Sequence, residues 1–339
     1  MVKIIIDAMG GDHAPGEVVK GSVEALSRFE DIEITLVGQQ EALEKALEGM
    51  SYPEGRLKTV FASQVIETGE VPVRAVRQKK DSSMVVGMRL LAGGEGDAFI
   101  SAGSTGALLT AGILIVHTVP GVHRPALAPI LPTARDPFML IDCGANVDCK
   151  PVNLQQFAMM GSIYMQEVAG KENPRVGLIN IGAEEEKGNE LTRTVYQELQ
   201  KMPINFIGNV EARDIPEGNA DVLVCDAFVG NVVLKFMEGL ASTMFTMLKK
   251  ELMATKFSSI LALGLKKRFA SFKKSMDYTE YGGAPLLGLN KCVIKAHGSS
   301  NAKAFCSAIR QAREFSQNDL SGKVREGIAR AGAAFTRDV

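Results

Sequence analysis

The stretch that decides the fold is residues 99–112, FISAGSTGALLTAG. A short apolar run stops at Ser101, small and hydroxyl residues follow, and helix-forming residues resume at Ala107. This order is typical of a β-strand that leads through a tight turn into an α-helix. Because the turn has no bulky side chain, backbone N–H groups and hydroxyls at the helix start can converge on an anion. The stretch predicts either a phosphate site or an ordinary helix start capped by Ser or Thr.

The same arrangement recurs at five other places in the chain, where an apolar strand ends in glycine and polar residues. These junctions are Asp7 with residues 10–13, and residues 142–146, 182–189, 226–231 and 296–301. In an alternating parallel α/β fold, the carboxyl ends of the strands share one edge, and ligands bind there. We therefore predict a three-layer α/β/α fold with a largely parallel sheet, and one cleft shared by the six junctions.

The composition is that of a globular protein with free thiols. The 339 residues are 46% hydrophobic, and the formal net charge of −1 gives no signal for nucleic acid binding. Five cysteines without CxxC spacing favour reduced thiols and no metal cluster. The N-terminus enters a strand at once, and the longest strongly apolar run, residues 107–116, is too short to span a bilayer. We expect a cytoplasmic protein without a secretory signal.

The alternation of strands and helices predicts a single α/β catalytic unit over residues 1–339. Residues 117–137 are rich in proline and arginine and mark the predicted seam within it. Further along, the helix that follows the junction at residues 226–231 is expected to begin near Val232. No fixed-period repeat interrupts this pattern.

Residues 249–276, KKELMATKFSSILALGLKKRFASFKKSM, predict a protruding basic amphipathic helix or helical pair, with Gly264 as the expected break. Apolar residues recur at steps of three and four among eight basic residues, and Glu251 is the one acid in this sequence. Such a segment can pack on the core or on a second copy, lie on an anionic membrane, or dock an acidic protein. The residues predicted to face a membrane are Phe257, Leu261, Leu265, Lys266, Lys267, Arg268 and Phe269.

The polar residues of the six junctions suggest anion binding rather than nucleotide chemistry. Neither GxGxxG nor GxxxxGK[ST] occurs, which disfavours a dinucleotide fingerprint and a P-loop. Serines at these junctions lack a GxSxG elbow, so phosphate binding explains them better than a nucleophilic role. The predicted phosphate-binding residues are Ser101, Gly103, Ser104, Thr105, Gly106, Gly298, Ser299, Ser300 and Asn301.

Charged and amide residues at the same junctions are candidates for the cleft, although each also has an ordinary structural interpretation. Loop aspartates either orient ligands or form caps and turns, and no metal is predicted. Lys187, Lys235 and Lys295 either add positive charge near a phosphate or are solvated surface amines. The predicted cleft residues are Asp7, Gly10, Gly11, Asp12, Asp142, Asn146, Asn189 and Asn231.

Five motifs, in this order along the chain, resemble the PlsX family of bacterial phosphate acyltransferases. They are IDAMGGDHAPGEVVKG at residues 6–21, SAGSTGA at 101–107, LIDCGAN at 140–146, CDAFVGN at 225–231 and YGGAPLLGLNKCVIKAHGSSNAKAF at 281–305. The resemblance runs from residue 3 to the last predicted helix. It implies a fold similar to phosphotransacetylases and to the isocitrate and isopropylmalate dehydrogenases.

The resemblance also implies an activity and partners. Inorganic phosphate would attack the thioester of a long-chain acyl carrier protein, reversibly, and release acyl phosphate for the first acylation of glycerol 3-phosphate in phospholipid synthesis. A cytoplasmic homodimer at the inner face of the membrane is implied, without a cofactor and with the membrane glycerol-3-phosphate acyltransferase as a further partner.

The residues suggest how such a transfer would proceed. Phosphate is already anionic, so the enzyme has chiefly to position it and to stabilise the oxyanion. We expect direct transfer without an acyl-enzyme, with the catalytic candidates His13, Lys187, Asp226 and His297; either histidine would polarise the carbonyl or protonate the thiolate. Two alternatives stay open, a nicotinamide-dependent dehydrogenase and a module that binds phosphate or carrier protein without catalysis.

Overall fold

The computed structural model describes residues 1–276, 278–332 and 335. The first third of the chain alternates strands and helices. Its elements are β1 (Val2–Asp7), α1 (Gly16–Arg28), β2 (Ile32–Gly38), α2 (Gln40–Leu47), β3 (Leu57–Phe61), α3 (Pro72–Gln78), α4 (Ser83–Ala92), β4 (Ala98–Ser101) and α5 (Thr105–Ala111), followed by a π-helical turn (Gly112–Val116).

The remainder of the chain continues this alternation and adds a long helical pair. Its elements are β5 (Ala126–Leu127), β6 (Ile130–Leu131), β7 (Phe138–Ile141), α6 (Pro151–Glu167), β8 (Arg175–Asn180), α7 (Glu190–Leu199), β9 (Asn205–Glu211), a 3₁₀ turn (Ala212–Glu217), β10 (Val222–Val224), α8 (Ala227–Leu252), α9 (Lys256–Ser275), a second 3₁₀ turn (Tyr278–Tyr281), β11 (Ala284–Leu287), β12 (Cys292–Lys295), α10 (Ala302–Gln317) and α11 (Leu320–Ala331).

The strands form two largely parallel sheets, so the α/β class is confirmed. One sheet has the order β3-β2-β1-β4-β12-β11-β5, and the other has the order β6-β7-β10-β8-β9. Antiparallel pairing is confined, among the described strands, to β11 with its two neighbours and to β6 with β7. The six predicted junctions are therefore divided: three follow β1, β4 and β12 of the first sheet, and three follow β7, β8 and β10 of the second.

The chain passes between the sheets within the predicted seam at residues 117–137. Ala126 and Leu127 pair with β11 of the first sheet, whereas Ile130 and Leu131 pair with β7 of the second. Strand β6 starts four residues after β5 starts, and Pro129 lies between the two strands. Proline lacks a backbone N–H and favours such an interruption of pairing.

Close helix packing brings the loops of the first sheet together. A Cβ on Gly21 of α1 would lie 2.5 Å from the carbonyl oxygen of Ala302 in α10, so the two helices approach at backbone distance. On the other face, a Cβ on Gly87 of α4 would lie 2.3 Å from the ring of Phe99 in β4. These contacts fix the loops after β1, β4 and β12 relative to one another.

Two expected boundaries of the helical segment are wrong. The helix α8 begins at Ala227 rather than near Val232, because the Asp226 side chain accepts a hydrogen bond from the Val229 amide and caps it. Gly264 lies inside α9, and the interruption falls between Leu252 and Lys256. Thr255 and Ser258 exchange side-chain and backbone hydrogen bonds there and supply a helix start, whereas an interior glycine costs only about 1 kcal/mol.

Candidate functional site

Asp7, at the carboxyl end of β1, is the buried carboxyl of the first sheet. Its Oδ2 accepts a hydrogen bond from the Ser101 hydroxyl at 2.7 Å, and its Oδ1 accepts one from the Met9 amide at 3.1 Å. Burial raises the pKa of Asp7, while bonds with Ser83 and Ser101 oppose that rise. The carboxyl therefore joins the ends of β1 and β4.

The turn after β4 uses its own polar groups internally. The Ser101 hydroxyl also accepts a hydrogen bond from the Gly103 amide at 3.0 Å, and the Ser104 hydroxyl caps α5 by accepting from Ala107. Ser101 is fully buried, whereas Thr105 and Gly106 are half-buried at the helix start. The predicted phosphate loop is thus assembled, with two of its hydroxyls engaged by the protein.

Glycines allow the loop after β1 to lie against the turn after β4. A Cβ on Gly10 would lie 2.6 Å from the Gly103 amide nitrogen and 2.8 Å from Asp7 Oδ2. Gly11 has a φ of +101°, which L side chains rarely adopt. The predicted cleft residues Gly10 and Gly11 therefore permit a backbone approach that no other residue fits.

Lys295, the last residue of β12, extends into the same strand ends. Its Nζ donates to the Ala102 carbonyl at 3.1 Å and to the Ala296 carbonyl. Burial lowers the pKa of Lys295 to about 8, and the charges of Asp7 and Asp12 partly oppose that fall. This ammonium is the cation of the first strand-end cluster, a name used below for Asp7, Ser101, Lys295 and His297.

His297 follows β12 in an exposed turn. Its Nδ1 lies 2.8 Å from the Ser299 hydroxyl and accepts from the Ser299 amide at 3.3 Å. Acceptance at Nδ1 assigns the proton of the neutral ring to Nε2. Burial lowers the pKa of His297, so the neutral ring prevails at neutral pH.

The turn at residues 296–301 is tied to the loop after β1. The Asp12 amide donates to the Gly298 carbonyl at 2.8 Å, and Glu17 Oε2 accepts from the Ala302 amide at 2.8 Å. Asn301 caps α10 by accepting from Ala304, and the buried Ser300 donates its amide to the His297 carbonyl. His13 lies exposed in the same loop, and the bond from the Ala302 amide lowers the pKa of Glu17.

The second strand-end cluster comprises Asp142, Asn146 and Asp226. Asp142 is fully buried and accepts hydrogen bonds from the amides of Leu127, Gly144, Ala145 and Asn146 and from the Asn146 side chain, at 2.8–3.1 Å. Burial raises the pKa of Asp142, and these bonds oppose the rise. Its carboxylate organises the loop rather than facing a ligand.

The helix α8 connects the two clusters electrostatically. It starts at Asp226 in the second cluster, and its Lys235 and Glu238 form an ion pair at 2.8 Å. Lys235 lowers the pKa of both Lys295 and His297, whereas Glu238 raises that of His297. The start of α8 therefore faces the first cluster, and Asn231 is exposed on the turn before Lys235.

The junction at residues 182–189 stands apart from the first cluster. Lys187 is exposed, and Asn189 caps α7 by accepting from the Thr192 amide at 2.9 Å. The loop is held by Asn180, whose side-chain amide donates to the Lys187 carbonyl at 3.0 Å. Within the described chain, the hydrogen bonds of this loop lead to the second sheet.

Several residues of the site were missed or unranked by sequence reasoning. Ser83 and Glu17 bond to the loops of the first cluster. Ser83 stands in a helix pattern without a distinguishing motif, and Glu17 lies within the motif at residues 6–21 but was not singled out there. The sequence around Glu238 likewise contains no motif that indicates a role near His297. Lys295 is half-buried, whereas Lys187 and Lys235 are exposed, a difference that sequence alone does not show.

Comparison with known proteins identifies the family. Residues 2–323 match the family described as "Fatty acid synthesis protein". The chain is 54% identical over 334 residues to the phosphate acyltransferase of Thermoanaerobacter pseudethanolicus, with 98% of each chain covered. It is 51% identical over 331 residues to that of Alkaliphilus oremlandii, again with 98% of each covered. The chain belongs to the PlsX family.

Solved structures show that this PlsX-family chain shares the fold of transacylases. A phosphotransacetylase from Streptococcus pyogenes aligns with a TM-score of 0.59 at 15% identity, covering 93% of this chain and 94% of that one. A branched-chain phosphotransacylase from Enterococcus faecalis aligns with a TM-score of 0.55 at 15% identity, covering 93% and 99%. The fold similarity to phosphotransacetylases implied by the motifs is confirmed.

The helical pair of the PlsX-family chain encloses an apolar groove. The cavity between α8 and α9 has a volume of about 890 Å³, and Phe269 and Lys266 line it. Phe257 and Leu265 are exposed, as are Lys267 and Arg268, while the side chain of Leu261 lies outside the described residues. In the described part of the chain, no helix combines the length and apolar character needed to cross a membrane.

Proposed function

We propose that the chain is a phosphate acyltransferase in which inorganic phosphate attacks the thioester of a long-chain acyl carrier protein, reversibly, to form acyl phosphate for phospholipid synthesis. The observation that carries the proposal is identity above 50% over 98% of the chain to proteins named phosphate acyltransferase. The first strand-end cluster adds chemical support, because it brings an ammonium, an imidazole donor and helix starts together at the ends of β1, β4 and β12.

In this proposal, phosphate lies between the turn at residues 101–106 and the turn at residues 298–301. His297 Nε2–H donates to the thioester oxygen as negative charge develops or to the departing thiolate. The neutral ring fits that task because its pKa is lowered, and Ser299 fixes its orientation. His13, Lys187 and Asp226 remain candidates for contacts with the acyl donor.

Direct transfer, without an acyl-enzyme, agrees with the protonation of the cysteine thiols and with the structural role of Ser104. Burial raises the pKa of Cys143, Cys225 and Cys292 well above the usual value and that of Cys149 to about 12, so thiolates are disfavoured. Ser104 is buried and caps α5. Phosphate itself is therefore the nucleophile in a ternary complex.

The activity is tested by incubating the protein with phosphate and palmitoyl acyl carrier protein. We expect release of free carrier thiol in step with acyl phosphate, and dependence of both on phosphate. Thiol release without acyl phosphate, or none at all, contradicts the proposal. A stable acylated protein after acid quenching, absent from Ser104→Ala, contradicts direct transfer.

The same proposal places the enzyme at an anionic membrane surface on the cytoplasmic side. Phe257, Leu263 and Leu265 expose apolar side chains on α9 beside Lys266 and Lys267. A basic helix with exposed apolar residues binds anionic lipid through both contributions. This location would also bring the product to the membrane glycerol-3-phosphate acyltransferase.

Vesicle sedimentation tests the membrane contact. Replacing Phe257, Leu263 and Leu265 with serine should abolish binding to vesicles that contain phosphatidylglycerol, while thiol release in solution stays unchanged. The control replaces Ile113 and Leu114, which are also exposed but lie next to α5. Equal binding by both variants contradicts the assignment.

A second copy of the chain is the proposed partner of the exposed face of α8. Six large apolar side chains follow this face at steps of three and four, and all are exposed in the single chain: Phe228, Val232, Phe236, Leu240, Met244 and Met247. Such a stripe needs a covering surface. Phe236→Glu should convert a dimer to a monomer in analytical ultracentrifugation, and a dimer that persists contradicts the placement.

A further inference from the structure

We propose that Lys295 binds the phosphate nucleophile directly and supplies the positive charge that holds it at the ends of β1, β4 and β12. The inference rests on the proposed function and names a contact for it. Sequence reasoning placed the anion on hydroxyls and amides of two turns. The structure shows several of those groups already bonded within the protein.

Several of the donors expected to bind phosphate already donate to groups within the protein. The Ser101 hydroxyl donates to Asp7 and the Gly103 amide donates to Ser101. On the other turn, the Ser299 amide donates to His297 and the Ala302 amide to Glu17. An anion in this position therefore needs a donor beyond these groups, and preferably a charged one, since charge-assisted hydrogen bonds are about twice as strong as neutral ones.

The ammonium of Lys295 meets that need by its position. It donates to the carbonyls of Ala102 and Ala296, one in each of the two turns. An ammonium has three N–H donors, so one remains for an acceptor that lies between the turns. Both protein acceptors are neutral carbonyl oxygens, and a bound phosphate would be the direct counter-ion.

The surroundings keep the lysine half-buried and place charges of both signs around it. Asp7 and Asp12 face it from the end of β1 and the loop that follows, Lys235 faces it from α8, and His297 lies two residues along the chain. Burial of a cation without a direct ion pair is unfavourable. A neutral side chain could fill a purely structural role at this position without the desolvation cost of an ammonium. A bound phosphate dianion would offset that cost by pairing with the ammonium.

Isothermal calorimetry with inorganic phosphate, without an acyl donor, tests the contact on the full chain. Lys295→Met should weaken phosphate binding by about ten- to a hundred-fold, the range for losing a hydrogen bond to a charged group. Lys295→Arg should retain most of the affinity. Lys291→Met is the matched control, because Lys291 precedes the same strand at its opposite end and should leave phosphate binding unchanged.

The pH dependence separates a bound ammonium from a structural lysine. Between pH 7.5 and 9 the wild-type dissociation constant should rise roughly eightfold, which is the fall in protonated fraction of a group with a pKa of about 8. Inorganic phosphate stays predominantly dianionic in this range. Lys295→Arg should show a flat profile, since guanidinium keeps its charge.

The outcomes distinguish this contact from the activity. If wild type and a folded Lys295→Met bind phosphate with equal affinity, the contact is contradicted. The proposed activity is still supported in that case if the wild type releases carrier thiol. A wild type that binds phosphate in a Lys295-dependent manner but releases no carrier thiol supports the contact and contradicts the transferase. If Lys295→Met does not fold, a Lys295→Arg profile as steep as that of the wild type also overturns the contact.

Discussion

Asp7 and Asp142 occupy matching places in the two sheets and perform different tasks. Each stands at the carboxyl end of a strand, and burial raises the pKa of each carboxyl. Asp142 accepts bonds from four backbone amides and one side-chain amide of its own surroundings. Asp7 accepts from the local Met9 amide and from the Ser101 hydroxyl of another strand, and it lies near the ammonium of Lys295.

The difference shows that burial and strand position do not by themselves identify a ligand-binding carboxylate. A carboxylate whose acceptor positions are filled by local amides stabilises its loop. A carboxylate that accepts from the hydroxyl of a neighbouring strand, beside a cation, positions polar groups from separate loops. The following changes test this assignment from the largest expected effect to the smallest.

Asp142→Ala should have the largest effect, on stability. It leaves the buried amides of Leu127 and Asn146, and the part-buried amides of Gly144 and Ala145, without their acceptor. The expected loss is about 3–5 kcal/mol in the free energy of unfolding. Urea unfolding measures it. Asp148→Ala, exposed in the same loop, is the control and should change stability by less than about 0.5 kcal/mol. A loss below about 1 kcal/mol for Asp142→Ala would remove the contrast.

Asp7→Ala should lower activity strongly and stability only moderately, the opposite of Asp142→Ala. Removing a buried carboxyl also removes its desolvation cost, so stability should fall by no more than about 2 kcal/mol. Thiol release should fall about a hundredfold, because Ser101 loses its partner and the field at Lys295 changes. A variant that is strongly unfolded, or one with full activity, would place Asp7 in the same class as Asp142.

Gly10→Ala should act on the site through distance. Its Cβ would lie 2.6 Å from the Gly103 amide nitrogen, so the loops after β1 and β4 must separate. We expect roughly a tenfold fall in kcat/KM for phosphate, a size typical of small misplacements of catalytic groups. Gly16→Ala is the matched control, since no atom lies within 4 Å of its Cβ position. Equal kinetics for the two variants would show that the close approach is dispensable.

The smallest expected effect is the contribution of His297 to acid stability. Its folded pKa lies below the unfolded value, so the unfolded chain takes up the proton first as the pH falls below about 6.5. Stability is therefore lost from that pH downward until the folded ring also titrates. His297→Gln should give a shallower decline of Tm between pH 7 and 5, by a small amount because the ring is partly solvated. An identical slope in both proteins would contradict the shift.

The sequence determined much of the first strand-end cluster. Glycine and hydroxyl residues after apolar runs located the ends of β1, β4 and β12, because tight turns and close backbone approach leave few alternatives. The same signal located Asp142 and Asp226. It could not show which carboxylates have their acceptor positions filled, since that depends on whether the Leu127 amide or the Ser101 hydroxyl arrives from a distant strand.

Three-dimensional burial explains the remaining failures. Lys187 and Lys295 each follow an apolar strand in the sequence. Lys187 is exposed, whereas Lys295 is enclosed by loops that are far apart in sequence. The division into two sheets falls between β5 and β6, which pair with β11 and β7 respectively, and no local pattern indicates these antiparallel pairings. Gly264 illustrates the reverse case, in which tertiary and capping effects outweigh a local helix breaker.

The bond between Glu17 and the Ala302 amide has a consequence for how the chain is made. The two residues are 285 positions apart, and the Asp12 amide likewise needs the Gly298 carbonyl. At a synthesis rate of about 5–20 residues per second, roughly 15–60 seconds pass between their appearance. The loop after β1 thus lacks these two bonds until residues 298–302 have left the ribosome, and a nascent chain that stops before them cannot form either bond.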